Sequence, residues 1–141
     1  MPELPEVETS LRGILPYCKN QLVTGVIIRN FNLRWPVSRS LANQLSGQRI
    51  KEISRRAKYL LFETDKGTLI LHLGMSGSLR VIGNDEPALK HDHVDIQLAN
   101  NQTLRFNDPR RFGSIHFTRK PVTLHKLIRD LGPEPLSAEF T

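Results

Sequence analysis

Cysteine is all but missing: Cys18 is the only one in 141 residues. That excludes a disulfide within the chain and a CxxC zinc clasp, and it fits a reducing compartment. Long hydrophobic runs are also lacking, and none approaches the ~20 residues a bilayer-spanning helix needs. The chain opens on acidic residues rather than a basic and then apolar stretch, so no signal peptide is expected. A soluble, cytoplasmic protein with no membrane partner is the expectation. Acidic residues are the minority charge, 14 against 20 lysines and arginines, for a net charge of +6. A domain this basic either meets an anionic partner such as nucleic acid or uses its charge for solubility. The length suits one domain with a real core. The composition, 38% hydrophobic and 24% charged, is that of an ordinary globular domain.

What is present begins at the N-terminus. Two prolines and three glutamates crowd the first eight residues, MPELPEVE. Pro5 suits a first helical turn, with Glu6 and Glu8 where the helix dipole favours negative charge. Val7, Leu11 and Ile14 recur at helical spacing, which predicts a helix over 5–17 ended by Pro16. A strand follows over Leu22–Arg29, and a short helix over Ser38–Ser46 closed by Gly47. Lys58–Thr64, Thr68–Leu73 and Ser78–Ile82 read as strands parted by Asp65-Lys66-Gly67 and Gly74–Gly77. His93–Leu98, Thr103–Phe106 and Gly113–Thr118 alternate apolar and polar, with Asn100-Asn101 as a hairpin turn. Thr123–Leu131 has a second amphipathic helical pattern, stopped by Gly132 and Pro133. No internal repeat is visible. The expected fold is mainly β: a β-sandwich of about eight short strands with a helix at each end.

Several residues have the chemistry for a reactive site. If Met1 is removed, Pro2 becomes a secondary amine, and α-amino groups titrate near neutrality. Such an amine attacks an aldehydic carbon, and its adduct must remain a cationic iminium, an electron sink that acidifies the neighbouring C–H. Glu3 beside it and Glu6 in the first turn are carboxylates able to move a proton; both equally complement the helix dipole. The run Arg49, Lys51, Arg55, Arg56, Lys58 is interrupted by apolar residues. If 55–61 is extended, Arg56 and Lys58 share one face and suit phosphate contact; a solvated basic edge is the alternative.

His72 ends an apolar strand and opens HLGMSGSL, which displays Met75 on a glycine-rich turn. NDPRRFG, residues 107–113, displays Arg110 and Phe112 on another. Apolar wedges between base pairs are a device of proteins that deform DNA, and these three side chains suit the gap left by an everted base. In KHDHVD, residues 90–95, His91 and His93 flank Asp92; two ligands do not close a metal site, and a histidine hydrogen-bonded to a phosphate fits better.

PELPEVET, RRAKYLL, HLGMSGSLR, KHDHVD, DPRRFG and LGPEPL occur in that order. With them the chain resembles the N-terminal domain of the formamidopyrimidine-DNA glycosylases, from residue 2 to about residue 137. The resemblance implies a β-sandwich flanked by helices. It implies a bifunctional glycosylase and abasic-site lyase acting on double-stranded DNA with 8-oxoguanine, formamidopyrimidines or abasic sites. By position, Pro2 matches the nucleophile that attacks C1′, Glu3 the acid that assists sugar opening and base departure, and Glu6 a supporting carboxylate. Lys58 matches the lysine of proton transfer and phosphate binding. His91 and Arg110 match DNA-contacting positions, and Met75, Arg110 and Phe112 match the gap-filling triad, with Arg110 facing the orphaned base; His72 is a further DNA-binding candidate. The related endonuclease VIII branch, acting on oxidised pyrimidines, and a non-catalytic DNA-binding domain are the alternatives.

The family's enzymes are longer. Their second half carries a helix–two-turn–helix module, a four-cysteine zinc finger and the loop that closes over the everted base. None of those motifs occurs here. The expectation is the N-terminal domain alone, residues 1–134, with 135–141 beginning a linker. It would be monomeric and without a cofactor of its own, the zinc ion belonging to the absent finger. It would bind DNA weakly and with strong salt dependence, and would excise little.

Overall fold

The computed structural model of the chain describes residues 4–119. The expected second helix over Thr123–Leu131 and the linker after Pro135 lie outside them, as do Pro2 and Glu3.

Helix α1 spans Leu4–Cys18. Val7, Leu11, Ile14 and Cys18 form its buried stripe, the spacing that puts one face of a helix against a core. Pro16 does not end it but sits inside the last turn. Pro16 is exposed, so the carbonyl that its missing N–H leaves without a partner belongs to the water side, where the loss is cheapest.

Eight short strands then build two antiparallel sheets. They are β1 (Val23–Ile28), β2 (Glu52–Arg56), β3 (Tyr59–Glu63), β4 (Thr68–His72), β5 (Ser78–Gly83), β6 (Asp92–Leu98), β7 (Gln102–Asn107) and β8 (Ser114–Thr118); a short helix α2 (Leu41–Leu45) lies between β1 and β2. One sheet has the order β1-β6-β7-β5, the other β2-β3-β4-β8. Alternating side chains from both sheets fill one core: Leu60, Phe62, Leu69, Leu71 and Ile115 from the second, Val94, Ile96, Leu98, Leu104 and Phe106 from the first, closed by α1 and α2. This is the expected β-sandwich, built on the period-2 pattern.

The segment 55–61 is not one extended strand. It is a hairpin: β2 ends at Arg56, Ala57 takes φ +52°, and β3 begins at Tyr59 opposite Arg56. Arg56 and Lys58 therefore do not share a strand face; Lys58 stands on the two-residue turn. The cause is visible in Arg55, which is only 4% exposed. Its guanidinium donates to Glu8 Oε1 at 3.0 Å and to the Ala57 carbonyl at 3.0 Å, closing the turn over itself.

The outer face of the first sheet carries buried charge. Arg105 donates to both oxygens of Asp95, at 2.9 and 3.0 Å, while Arg29 reaches Asp95 at 2.7 Å and Arg80 reaches Asp92 at 3.1 Å. Arg105 also donates to the carbonyls of Glu86 and Pro87, so the loop before β6 folds over the cluster.

Candidate nucleic-acid interface

Three loops meet at one end of the sandwich: 30–37 after β1, 74–77 between β4 and β5, and 108–113 between β7 and β8. Asp108 organises the meeting. It is fully buried; its Oδ1 accepts from Ser76 Oγ at 3.0 Å and its Oδ2 from the Gly113 N–H at 2.7 Å. Ser76 Oγ in turn accepts the Arg110 N–H at 3.2 Å. The third loop is tied in by the Arg34 N–H, which donates to the Gly113 carbonyl at 3.1 Å. Gly74 takes φ +70°, and a Cβ there would stand 2.5 Å from Gly113 N. Only glycine permits both that backbone and that approach.

Met75 and Phe112 are both 43% exposed, unusual for large apolar side chains on turns. Arg110 Nη1 lies 3.8 Å from Met75 Sδ. The two turns picked out from the sequence therefore do bring Met75, Arg110 and Phe112 into one patch. Beside it is a cleft of about 410 Å3 lined by Arg34, Trp35, Tyr59, His72, Gly74, Met75, Phe112 and Ser114. Sequence reading missed Arg34 and Trp35. The one available signal was the sole tryptophan, set between an arginine and a proline in a stretch with no periodicity.

His72 is half-buried at the cleft wall, its ring 4.8 Å from that of Tyr59. Its Nδ1 accepts the Gly74 N–H at 3.0 Å, which places the remaining proton of the neutral ring on Nε2. Burial, then the charges of Lys58 and Arg34, hold its pKa below 6.5, with Asp108 opposing. A neutral N–H donor beside two cations is a suitable receptor for a phosphate oxygen.

The His91 and His93 rings meet edge to face, 6.1 Å apart, but their backbones differ. His91 takes φ +72° just ahead of β6, and the register shift between Asp92 and Val94 makes His93 a bulge residue. His93 is buried with Nε2 2.7 Å from the Asp108 carbonyl. The His91 carbonyl accepts the Asp108 N–H at 3.0 Å, so both histidines brace the Asp108 turn from below. Glu6 is exposed in the first turn of α1. Among the described residues no cluster of three or more histidine, cysteine or carboxylate groups could hold a metal. Cys18 is buried, its thiol pushed up to about 12 by burial.

The family model described as the formamidopyrimidine-DNA glycosylase N-terminal domain matches residues 1–115. Formamidopyrimidine-DNA glycosylase of Hydrogenovibrio crunogenus is 56% identical over 140 residues, 99% of this chain and 50% of that protein. The Shewanella oneidensis protein of the same name is also 56% identical, with 51% of it covered. Among solved structures, Lactococcus lactis Fpg in complex with DNA containing an abasic site matches with a TM-score of 0.86 at 34% identity, over 99% of this chain and 53% of that one. The wild-type protein in complex with DNA containing N7-benzyl-Fapy-dG matches with a TM-score of 0.76 at 36% identity, over 83% and 44%. The chain spans about half the length of the curated relatives it matches.

Proposed function

Because the chain belongs to the formamidopyrimidine-DNA glycosylase family, we propose that it is the lesion-handling domain of a base-excision DNA glycosylase. That enzyme removes 8-oxoguanine and formamidopyrimidines and then cleaves the strand as a lyase. The observation that carries the reading is the patch itself: Met75, Arg110 and Phe112 exposed on two mutually bonded turns, beside a cleft lined by Arg34, Trp35 and His72. Apolar side chains for the duplex gap and donors for the phosphates stand side by side.

Unstacking and everting a base costs a few kcal/mol. Met75 and Phe112 fill the space it leaves, and Arg110 faces the orphaned partner. His72, Lys58 and Arg34 take backbone phosphates near the lesion, and His91 contributes a further DNA contact. The Pro2 amine attacks C1′ while Glu3 passes a proton to the opening sugar, with Glu6 in support, and the damaged base departs. The C1′ iminium acidifies the C2′ hydrogens. Loss of one, with Lys58 moving the proton, expels the 3′ phosphate, and a second elimination releases the 5′ phosphate. The chain acts as a monomer in the cytoplasm. A zinc ion belongs to the other half of the enzyme, and no step here runs through it.

The test is borohydride trapping on a duplex with an abasic site. A covalent complex should form, and Pro2→Gly or an N-terminal tag should sharply reduce it. Mass spectrometry of the N-terminus must show Met1 removed. DNA shifted without trapping would make the chain a plain binder, and no shift at all would leave its charge to solubility. Excision of oxidised pyrimidines in preference to 8-oxoguanine would move it to the endonuclease VIII branch. The isolated chain should excise 8-oxoguanine weakly; robust excision would overturn the expectation that the other half supplies most of the grip.

A further inference from the structure

The two turns carrying Met75, Arg110 and Phe112 are far apart in sequence, yet a single buried carboxylate serves both. Asp108 spends one oxygen on Ser76 Oγ and the other on the Gly113 N–H. Its backbone is fixed as well: the N–H donates to His91, and the carbonyl receives the Arg111 N–H and lies against His93 Nε2. Ser76 is the hinge pin between the turns. Its hydroxyl donates to Asp108 and, through its other lone pairs, accepts the Arg110 N–H. The Ser76 side chain lies a single residue from Met75, and the bond it accepts comes from the backbone of Arg110 itself.

We propose that Asp108 and Ser76 are positioning residues that lock the two turns into one rigid wedge, so that Met75, Arg110 and Phe112 enter the duplex gap together. The wedge role of those three side chains is that of the proposed function, and the clamp rests on it. The clamp touches neither the cleft cations nor the phosphates they would take. Its loss therefore separates gap filling from affinity. A merely structural bond would instead lower stability and affinity together, or neither.

The experiment uses this chain at low ionic strength and a duplex with a tetrahydrofuran abasic analogue and 2-aminopurine as its neighbour. Emission from 2-aminopurine rises when the neighbouring stack is wedged open. The unaltered chain should raise it, and Met75→Ala should not. Ser76→Ala should cut the rise at saturating protein by roughly three- to tenfold, the population effect of one lost hydrogen bond. The affinity and its salt slope should hold, and near-ultraviolet circular dichroism should keep its native form. Ser76→Thr, which keeps the hydroxyl, should restore the rise, and the isosteric Ser76→Val should not. A full emission rise with Ser76→Ala or Ser76→Val at unchanged affinity overturns the clamp while Met75→Ala still upholds the wedge. If Met75→Ala behaves like the unaltered chain, the wedge reading itself falls and the clamp with it. If Ser76→Ala and Ser76→Val unfold while Ser76→Thr is native, the bond is a folding element and the positioning role is rejected.

Discussion

Arg55 Nε donates to Glu8 Oε1 at 3.0 Å, across 47 residues of chain. The pair joins α1, the helix that follows Pro2 and Glu3 in sequence, to the turn that carries Lys58. Arg55 also holds that turn through the Ala57 carbonyl. Helix and turn are thus one mechanical unit.

Removing Glu8 should cost more than removing Arg55. Glu8→Gln takes a carboxylate from a guanidinium that is only 4% exposed, whereas Arg55→Met leaves a carboxylate that keeps water and Arg12. Buried pairs broken on one side lose about 3–5 kcal/mol and exposed pairs lose under about 1. This pair is half of each kind, so Glu8→Gln should lower stability by about 2 kcal/mol. Urea midpoints of the two single variants and the double variant measure the difference. A larger loss from Arg55→Met reverses the argument.

Where side chains alternate, as in β6, β7 and β8, the strands were legible, because period 2 forces one face inward. The helix stripe of Val7, Leu11 and Ile14 was equally plain. The β2–β3 hairpin was not. Its turn is Ala57-Lys58, without the glycine or asparagine that usually marks φ > 0, and Arg55 looks like a surface charge until Glu8 is seen beside it. Asp95 and Arg105 were hidden for the same reason, since a pattern rule assigns charge to water and cannot see that two charges bury each other. In the candidate interface the two turns were legible from their glycines and arginines. The loop bearing Arg34 and Trp35 was not, because what ties it to the site is a long-range backbone bond to Gly113 that no local pattern announces.

The Asp92 and Asp95 cluster should make the fold acid-sensitive. Burial, the largest single cause, raises both carboxyls, yet hydrogen bonds and arginine charges together outweigh it: Asn107, the Leu89 N–H, Arg80 and Arg105 on Asp92, Arg105 and Arg29 on Asp95. Both pKa values end below 3.8. A carboxyl lowered on folding adds stability that is complete above its unfolded pKa, about 3.9, and is lost as pH falls through the folded value. The melting temperature should therefore hold down to about pH 5 and drop steeply below pH 4. Asp95→Asn should lower it at pH 7, by about 3–5 kcal/mol of stability, and flatten the acid limb. An Asp95→Asn protein with the same acid limb as the parent would remove this cluster as the cause.

His72 should titrate below an ordinary histidine. Its folded pKa is lowered by burial, Lys58 and Arg34, so its contribution to stability is present above the unfolded value of 6.5 and fades as pH drops through the folded one. Ring-proton chemical shifts followed against pH give the value directly. Arg34→Ala and Lys58→Ala should each move it upward, and bound DNA should do so too, because a phosphate on Nε2 favours the charged ring. A His72 that titrates identically with and without saturating DNA does not face a phosphate.

Trp35 provides the most direct view of the cleft. It is the only tryptophan in the chain, 48% exposed, with the Arg34 guanidinium 5.6 Å from its ring. DNA entering the cleft must displace water from that ring or stack on it, and either changes its emission. Adding a duplex with an abasic analogue should quench Trp35, and stacking of this kind is worth about 1–3 kcal/mol when removed. Trp35→Ala should therefore weaken binding about tenfold or more without changing its salt dependence, since no charge is lost. Arg34→Ala should act the other way: weaker binding at low salt, with the slope of log K against log salt shallower by about 1. Measured together, the two variants separate the aromatic wall of the cleft from its charge. Equal salt slopes for the parent and Arg34→Ala would take Arg34 off the phosphate backbone, and an emission unmoved by DNA would take Trp35 off the interface.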